Sequence, residues 1–277
     1  MSTTTRHGGS TGPEETGTAP VRPGPREARG SGGFAGAVAA EWSKLWSVRS
    51  AWICLAAGLL VTGVFTFYYA SIARINGHPV QPVANAAAAS AMISQFAVVV
   101  LATVAVTSEY ATGSVRSSLL AVPRRHLVQG AKALVAGAVA FLGGAVYGVV
   151  GTAVAWGPFE GRASFEPGTA LGQVLGLAVY EALVAVLTVG VAFAARHAAG
   201  ALSVLVLLLW GLPSVLLGLG GETLAAVEDR LPYGAGDHLM RAGADAPYGT
   251  TTAVLVVAAW AAAAHLTGLY VLRRRDA

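Results

Sequence analysis

Six stretches of this chain contain almost no charged side chains, and no other feature constrains its fold as strongly. Positions 50–73 hold 24 uncharged residues between Arg49 and Arg74, and 34 more separate Arg74 from Glu109. A helix needs about 20 mostly apolar residues to cross the hydrocarbon layer of a bilayer. Only 12% of the residues are charged, whereas soluble domains carry about 25%. The sequence therefore predicts an all-α integral membrane protein.

The uncharged stretches predict six transmembrane helices in one domain, residues 34–275. The preceding residues 1–33 are rich in Gly, Pro, Ser and Thr and contain almost no large apolar side chain. Such a composition does not bury enough apolar surface to fold, so a disordered cytoplasmic N-terminal tail is expected. The predicted spans lie near residues 50–73, 84–108, 133–156, 170–195, 198–220 and 250–272.

The lysines and arginines predict the orientation of these spans. If the N-terminus is cytoplasmic, the inner segments hold 14 of the 18 Lys and Arg residues and the outer loops hold 4. Cytoplasmic loops of membrane proteins carry an excess of these residues, so both termini are expected in the cytoplasm. The net charge of +4 is then a consequence of topology. A nucleic-acid-binding protein would need a basic soluble domain, which this sequence does not predict.

The residues that usually carry out chemistry are sparse or badly spaced. The single cysteine, Cys54, lies in an apolar run and has no partner for an internal disulfide. None of the six histidines stands in an H-E-x-x-H pattern, which would bind zinc. Lys44 and Lys132 are the only lysines, and neither follows the glycine-rich run of a phosphate-binding loop. The sequence therefore predicts no enzyme, no catalytic residue, and no metal or cofactor bound by this chain.

Residues 34–49, FAGAVAAEWSKLWSVR, have the periodicity of an amphipathic helix. Glu41 and Lys44 fall on a different face from the apolar residues. Tryptophan is enriched at the level of the lipid headgroups, so we expect this helix to lie on the inner membrane surface and to lead into the first span. The simpler alternative is an N-terminal extension of that span. The predicted apolar face consists of Phe34, Val38, Trp42 and Leu45.

Residues 108–125, SEYATGSVRSSLLAVPRR, predict a short helix between the second and third spans. Gly113 can end the second span, because glycine adopts the left-handed conformation of a helix C-cap without steric cost. Ser114 can cap a new helix over residues 115–121, and Pro123 prevents its continuation. Such an element is typical of a docking site for a soluble partner, although a loop whose arginines serve only topology is the alternative.

The same loop resembles a motif that follows the second span in permease subunits of ABC-2-type ABC transporters. That motif reads Glu-x-x-x-Gly-[Ser/Thr], then Leu-Leu, then Pro-Arg. Residues 40–52, AEWSKLWSVRSAW, are similar to the amphipathic connecting helix of the family, and residues 231–236, LPYGAG, are similar to an element before its last span. The residues that match the loop motif are Glu109, Gly113, Ser114, Leu119, Leu120, Pro123 and Arg124.

The resemblance implies a transport mechanism and a set of partners. Two permease subunits, identical or different, form the pathway in the lipid bilayer, and two separate ABC ATPase subunits bind ATP and Mg²⁺ and drive the cycle. The implied function is export of a lipophilic, lipid or peptide-like substrate across a bacterial cytoplasmic membrane. Coupling to the ATPase is implied for Glu109, Gly113, Ser114, Arg116, Leu119, Leu120, Pro123 and Arg124, and the connecting helix contributes Glu41, Trp42, Lys44, Leu45 and Arg49.

Glu181 is the one acidic residue deep inside a predicted span. A carboxylate within a membrane is costly and marks a functional candidate, so Glu181 is a candidate residue of the transport pathway. A protonated carboxyl group, hydrogen-bonded to a neighbouring helix, is the structural alternative. Two further functions stay open: a proton-coupled secondary transporter that uses Glu181, and a membrane scaffold that transports nothing.

Two glycine motifs inside the spans favour close helix packing. They are Gly144-x-x-x-Gly148 in the third span and Gly172-x-x-x-Gly176 in the fourth. Small residues at this spacing let two helix backbones approach each other in a membrane. The contact could lie within one subunit or across a dimer.

Overall fold

Helices make up nearly all of the described structure. The computed structural model describes residue 4 and residues 33–115, 124–241 and 247–274. Within these ranges six helices are long and apolar enough to cross a membrane, which confirms the predicted all-α class and multi-pass membrane character. They are Arg49–Ile75, Asn85–Thr112, Arg125–Phe159, Pro167–Ala195, Ala198–Leu219 and Thr250–Arg274.

The elements are numbered in chain order. A π-helical turn, Leu207–Gly211, divides the fifth long helix, and two short strands, β1 (Gln81–Pro82) and β2 (Ala163–Ser164), pair in parallel. The helices are α1 (Gly33–Ser47), α2 (Arg49–Ile75), α3 (Asn85–Thr112), α4 (Arg125–Phe159), α5 (Pro167–Ala195), α6 (Ala198–Val206), α7 (Leu212–Leu219), α8 (Glu222–Glu228), α9 (Pro232–Met240) and α10 (Thr250–Arg274).

The helix bundle has two distinct ends. Arg125, the first residue of α4, donates from Nη1 to the carbonyl oxygen of Leu272 at 2.5 Å, and Arg196 after α5 donates to the carbonyl oxygen of Val271 at 3.3 Å. These contacts bring the start of α4, the end of α5 and the end of α10 together. We call this the α1 end, because α1 also packs there against α4. The strand pair, α8 and α9 lie at the opposite end, the strand end.

Helices α3 and α5 form the centre of the bundle. In the most apolar stretch of each, 61% of the residues are buried, against 22% in α2 and 17% in both the fifth long helix and α10. The poorly buried helices expose large apolar side chains such as Leu60, Leu207 and Leu255. So much exposed apolar surface is unusual for a soluble protein. Lipid chains are as apolar as leucine and can cover it.

The glycine motif of α4 packs against α5 within the chain. A Cβ atom at Gly144 would lie 2.9 Å from the Cα atom of Ala178, and one at Gly148 would lie 3.2 Å from the Cα atom of Val174. The predicted close packing is therefore confirmed for this motif in its intrachain form. In the second motif, a Cβ atom at Gly176 would lie 2.5 Å from the carbonyl oxygen of Leu239 in α9, whereas one at Gly172 would point into open space.

Helices α5 and α10 cross at an equally tight point. A Cβ atom at Gly190 would lie 2.5 Å from the backbone nitrogen of His265, and one at Gly268 would lie 2.5 Å from the carbonyl oxygen of Gly190. A side chain larger than hydrogen does not fit between two helix backbones at this distance. The crossing therefore attaches α10 to the centre of the bundle.

Replacing Gly190 with alanine should destabilise the protein by about 1–3 kcal/mol, because the new methyl group must push α10 away from α5. Gly172→Ala in the same helix is the control. That variant should be neutral or stabilising, because alanine is the better helix former. Thermal unfolding of both purified variants in detergent measures the difference, and equal midpoints would contradict the packing described above.

Candidate functional site

Four charged side chains from three helices meet at the α1 end. Glu41 and Lys44 come from α1, Glu109 from the last turn of α3 and Lys132 from α4. Lys132 Nζ lies 2.5 Å from Glu41 Oε2 and 2.9 Å from Glu109 Oε1. Lys44 Nζ lies 2.8 Å from Glu41 Oε1 and 3.0 Å from Glu109 Oε1. Two carboxylates and two ammonium groups thus alternate in a closed ring without net charge, which we call the ion cluster.

Lys132 is the most deeply buried member of the ion cluster, and its side chain is only 4% exposed. Its third hydrogen bond goes to the carbonyl oxygen of Ala105 at 3.1 Å, so all three donors of the ammonium group are used. An ammonium group buried without partners would be very costly. The carboxylates of Glu41 and Glu109 offset that cost, and in doing so they attach α1 and the end of α3 to α4.

Lys44 closes the ring from its exposed side, with 45% of its side chain accessible. Partial burial disfavours the charged form, but hydrogen bonds to Glu41 and Glu109 outweigh this effect and raise the pKa of Lys44 above its ordinary value. Lys44 therefore stays charged at neutral pH, and its contribution is lost only as the pH rises through that raised pKa. Exposed ion pairs contribute about 0–1 kcal/mol, so the Lys44 contacts can break at little cost.

A one-residue break separates α1 from α2. Helix α1 ends at Ser47, Val48 is extended with φ −107° and ψ 136°, and α2 begins at Arg49. The alternative of a simple extension of the first span is therefore wrong. Val48 joins two separate helices, and α1 takes its position from contacts with α4 rather than from α2.

Helix α1 buries a charged and an apolar side chain together. Its buried residues include Glu41 and Leu45. Leu45, which periodicity assigns to the apolar face, is thus buried on the same side as Glu41. Phe34 and Trp42 of that face are each 43% exposed. The predicted apolar face is therefore divided, and the ion pair with Lys132 holds Glu41 toward α4.

Three tryptophans form a row along α1 and the start of α2. The ring centroids of Trp42 and Trp46 are 5.6 Å apart, and those of Trp46 and Trp52 are 4.6 Å apart. Amphipathic rings at one level of a membrane protein are typical of the headgroup region. The row agrees with a position of α1 at a membrane surface.

A cavity of about 450 Å³ lies beside the ion cluster, between α1, α2, α3 and α4. Its walls combine the charged groups of the cluster, several serines and an apolar interior. The cavity leaves α1 in contact with α4 but incompletely packed against α2 and α3. Its serines are Ser47, Ser50, Ser108 and Ser114, and its large apolar residues are Leu45, Val48, Leu101, Val104 and Val135.

The described part of the loop after α3 agrees with the prediction. Gly113 is the C-cap of α3 with φ 72°, the predicted left-handed conformation. The Ser114 hydroxyl lies 2.9 Å from the Thr112 hydroxyl, Val115 is buried, and Arg124 precedes α4 as its N-cap. The predicted short helix over 115–121 stays a prediction. Four of its proposed coupling residues lie outside the described residues: Arg116, Leu119, Leu120 and Pro123.

Glu181 is fully buried in α5, with 0% of its surface exposed. Neither carboxyl oxygen has a hydrogen-bond partner among the described residues. The alternative of a carboxyl group hydrogen-bonded to a neighbouring helix is therefore wrong within that part of the chain. The adjacent Tyr180 donates its hydroxyl to Oε1 of Gln95 at 2.5 Å. Glu181 thus stands apart from the ion cluster, with no counter-ion in the part of the chain that the structure describes.

The LPYGAG element begins α9 at the strand end, where Pro232 is the first residue of the helix. A side chain at Gly236 would overlap the ring of Tyr180, and one at Gly234 would overlap the carbonyl group of Glu228. The two glycines therefore let α9 pack directly on α5 and on the end of α8. The small residues of LPYGAG therefore serve helix packing.

A second group of charged residues surrounds this element. His238 Nε2 lies 2.8 Å from Asp229 Oδ1, and Arg241 Nε donates to Asp237 Oδ1 at 2.6 Å. Burial raises the pKa of Glu228, and the neighbouring Asp229 and Asp237 raise it further. Across the described ranges, no group of three or more His, Cys, Asp or Glu side chains is arranged to hold a metal ion.

The raised pKa of Glu228 predicts how stability depends on pH. The folded protein holds the proton of Glu228 more tightly than the unfolded chain does. Protonated Glu228 therefore contributes fully to stability below pH 4.5, the ordinary pKa of this group, and the contribution is lost as the pH rises through the raised pKa. Glu228→Gln should therefore be more stable than the wild type at neutral pH, and the difference should vanish in acid. Unfolding midpoints measured in detergent from pH about 4 to about 8 test this, with the exposed Glu222→Gln as the control. An advantage of Glu228→Gln that grows in acid would contradict it.

Comparison with known proteins assigns no family. A scan against family models finds no match, and a search of curated proteins finds no significant one. The resemblance to ABC-2-type permeases therefore rests on the sequence motifs alone.

Lys132 is the site residue that the motifs do not reveal. It matches no position of the family pattern, and a charged residue just before an uncharged stretch predicts only topology. One signal was available: Lys132 is one of just two lysines in the chain. Glu41 and Glu109 are predicted on the same side of the membrane, so a lysine there is a natural partner for both.

Removing the buried lysine should cost far more stability than removing the exposed one. Lys132→Met leaves two carboxylates with Lys44 alone and should destabilise the protein by about 3–5 kcal/mol. Lys44→Met removes a half-exposed partner and should cost about 0–1 kcal/mol. Thermal unfolding in detergent compares the two variants. A loss for Lys44→Met that equals or exceeds the loss for Lys132→Met would contradict the described burial.

Proposed function

We propose that this chain is the membrane-spanning permease subunit of an ATP-driven ABC transporter, and that a separate ABC ATPase subunit hydrolyses ATP. The observation that carries the proposal is the ion pair of Lys44 with Glu109 at 3.0 Å. These residues belong to the segments 40–52 and 109–124, which resemble two different motifs of one permease family. The side chains are 65 positions apart in the sequence, yet they are in direct contact.

The ion cluster supplies a physical path for coupling. An ATPase docked on the loop after Gly113 displaces the end of α3, and the contacts of Lys132 with Glu109 and Glu41 carry that displacement to α4 and α1. Breaking a buried ion pair costs about 3–5 kcal/mol, so the three helix ends move as a unit. The break at Val48 absorbs the rotation of α1 against α2, and the neighbouring cavity leaves room for it.

The charge distribution supports an orientation with the α1 end in the cytoplasm. Of the Lys and Arg residues in the described ranges, 8 lie at the α1 end and 4 at the strand end. The excess follows the rule for cytoplasmic loops, so we propose that both termini face the cytoplasm of a bacterium. The residues at the α1 end are Lys44, Arg49, Arg124, Arg125, Lys132, Arg196, Arg273 and Arg274, and those at the strand end are Arg74, Arg162, Arg230 and Arg241.

The remaining parts of the proposed transporter lie outside this chain. ATP and Mg²⁺ belong to the ATPase, because Lys44 and Lys132 both bind carboxylates of the ion cluster and neither is part of a phosphate-binding loop. The exposed apolar faces of α2, the fifth long helix and α10 offer surface for lipid and for a second permease subunit. The proposed activity is export of a lipophilic, lipid or peptide-like substrate.

A proton-coupled secondary transporter is the second candidate, and one observation favours it. Glu181 is fully buried and its carboxyl oxygens have no partner among the described residues. Intramembrane carboxyl groups of this kind carry protons in pumps and carriers. Such a transporter would work without an ATPase and would stop when an uncoupler collapses the proton gradient. A scaffold without transport activity has no comparable observation in its favour.

Purification of the tagged chain from its native membrane in mild detergent tests the proposal. We expect a stoichiometric ATPase with a phosphate-binding lysine to co-purify and to be identified by mass spectrometry. An intact, monodisperse complex that repeatedly lacks such a subunit would contradict the proposal and favour the proton-coupled carrier.

The proposed docking helix makes a separate prediction. Leu119→Asp should reduce ATP-dependent transport in inverted membrane vesicles by about tenfold or more, because a charge replaces an apolar docking contact. ATP hydrolysis and folding should be retained, since the change lies outside the spans. Leu119→Met, which keeps the apolar contact, is the matched control. Normal transport by the folded Leu119→Asp variant would contradict the coupling role.

A further inference from the structure

The carboxyl group of Glu181 differs from those of the ion cluster. Glu41 and Glu109 each bind two ammonium groups. Glu181 is completely buried, and neither of its oxygens has a hydrogen-bond partner among the described residues. Buried polar groups in folded proteins are nearly always paired, so an isolated carboxyl group at the centre of the bundle requires a functional explanation.

Helix α4 covers Glu181 tightly. A Cβ atom at Gly144 would lie 3.1 Å from both the Cβ and the Cγ atoms of Glu181. The same position would lie 2.9 Å from the Cα atom of Ala178, one turn away on α5. The helices are therefore in direct contact along the Glu181 side chain, and their separation at Gly144 would open a route for water to it.

The titratable groups that face Glu181 do not neutralise it. They are Tyr147 from α4 and the adjacent Tyr180 of α5. Tyr147 donates its hydroxyl to the carbonyl oxygen of Leu55 at 3.0 Å, and Tyr180 donates to Gln95 of α3 at 2.5 Å. No Lys, Arg or His of the described ranges supplies a hydrogen bond to either carboxyl oxygen.

His265 of α10 approaches α5 at Gly190 rather than at Glu181. The two positions on α5 are about two and a half helical turns apart. Among the described residues, α10 therefore places no positive charge at the carboxyl group of Glu181.

We propose that Glu181 is a proton-binding site that is loaded and unloaded when α4 separates from α5 at Gly144. An ionised carboxylate in the packed state would have neither a counter-ion nor a donor among the described residues, so the neutral acid is the form that this packing accommodates. When the helices separate, water enters and the acid releases its proton to that water, leaving a hydrated carboxylate. The helices close again after the carboxylate has taken a proton back from water.

This role goes beyond the proposed ATP-driven transport and does not depend on it. A permease whose central helices separate during its cycle would expose the site once per cycle. A single chain in a bilayer would expose it by spontaneous opening. The test therefore uses the full chain alone in phospholipid vesicles, without ATPase or substrate, and its outcome is separate from that of the proposed function.

The experiment is labelling with dicyclohexylcarbodiimide, a membrane-soluble reagent that reacts with protonated carboxyl groups, followed by mass-spectrometric peptide mapping. We expect Glu181 to be labelled, and its labelling rate to fall as the pH rises from about 6 to about 9. Glu181→Gln should abolish that label. Glu222→Gln, at an exposed site outside the long helices, should leave it unchanged.

Two glycine variants test the helix separation. Gly144→Ala inserts a methyl group between α4 and Glu181, and we expect labelling roughly tenfold faster than in the wild type, which corresponds to about 1.4 kcal/mol of lost packing. Gly143→Ala is the matched control, because its Cβ would meet only Leu55 at an ordinary 3.4 Å and Tyr147 at 3.9 Å. Size-exclusion profiles show whether both variants fold.

Equal labelling rates in the two glycine variants would overturn the role of helix separation. If Gly144→Ala does not fold, the pH series in the wild type decides. Labelling of Glu181 that falls with rising pH supports the proposal. Absence of label at Glu181 at every pH, or a rate independent of pH, would overturn it.

Discussion

The buried ammonium group of Lys132 holds three helices together at one end of the bundle. It binds Glu41 from α1 and Glu109 from α3, and it donates to the carbonyl oxygen of Ala105 at 3.1 Å. In an apolar environment none of these charges is stable alone, so each partner depends on the other two. The position of α1, the exposure of Lys44 and the contact between the two permease-like motifs all follow from this one requirement.

The centre of the bundle depends on a different constraint, the presence of glycine where two helices cross. Gly144 and Gly190 let α4 and α10 approach α5 more closely than any larger residue would allow. Helix association in lipid relies on such packing, because apolar surface gains little by leaving a lipid environment. Glu181 lies at one of these contacts, so the same packing that stabilises the bundle also controls access to its isolated carboxyl group. Ion pairs connect the helices at the α1 end, whereas close backbone contacts at glycines connect them at the centre. The two regions therefore have different ways to move.

The number and type of the long helices could be predicted from the sequence, because the gaps between charged residues are a one-dimensional signal. The left-handed cap at Gly113 could be predicted for a similar reason, since it depends on local chemistry. The burial of Glu41 could not be predicted. Periodicity placed Glu41 on a different face from Leu45, whereas both are buried, and the partner that draws Glu41 inward is Lys132, 91 positions away. The isolation of Glu181 could not be predicted either, because it depends on which groups the neighbouring helices bring to α5.

The central mechanical claim is that α1, the end of α3 and α4 move together while α1 turns about Val48. Distances between spin labels in the complex with the proposed ATPase measure this directly, on a Cys54→Ser background. One pair, Ala40→Cys with Leu134→Cys, joins α1 to α4, and a second pair, Ala40→Cys with Ile53→Cys, joins α1 to α2. On addition of ATP, the distance between α1 and α4 should stay constant and the distance between α1 and α2 should change. A change between α1 and α4 with a constant distance between α1 and α2 would contradict the claim.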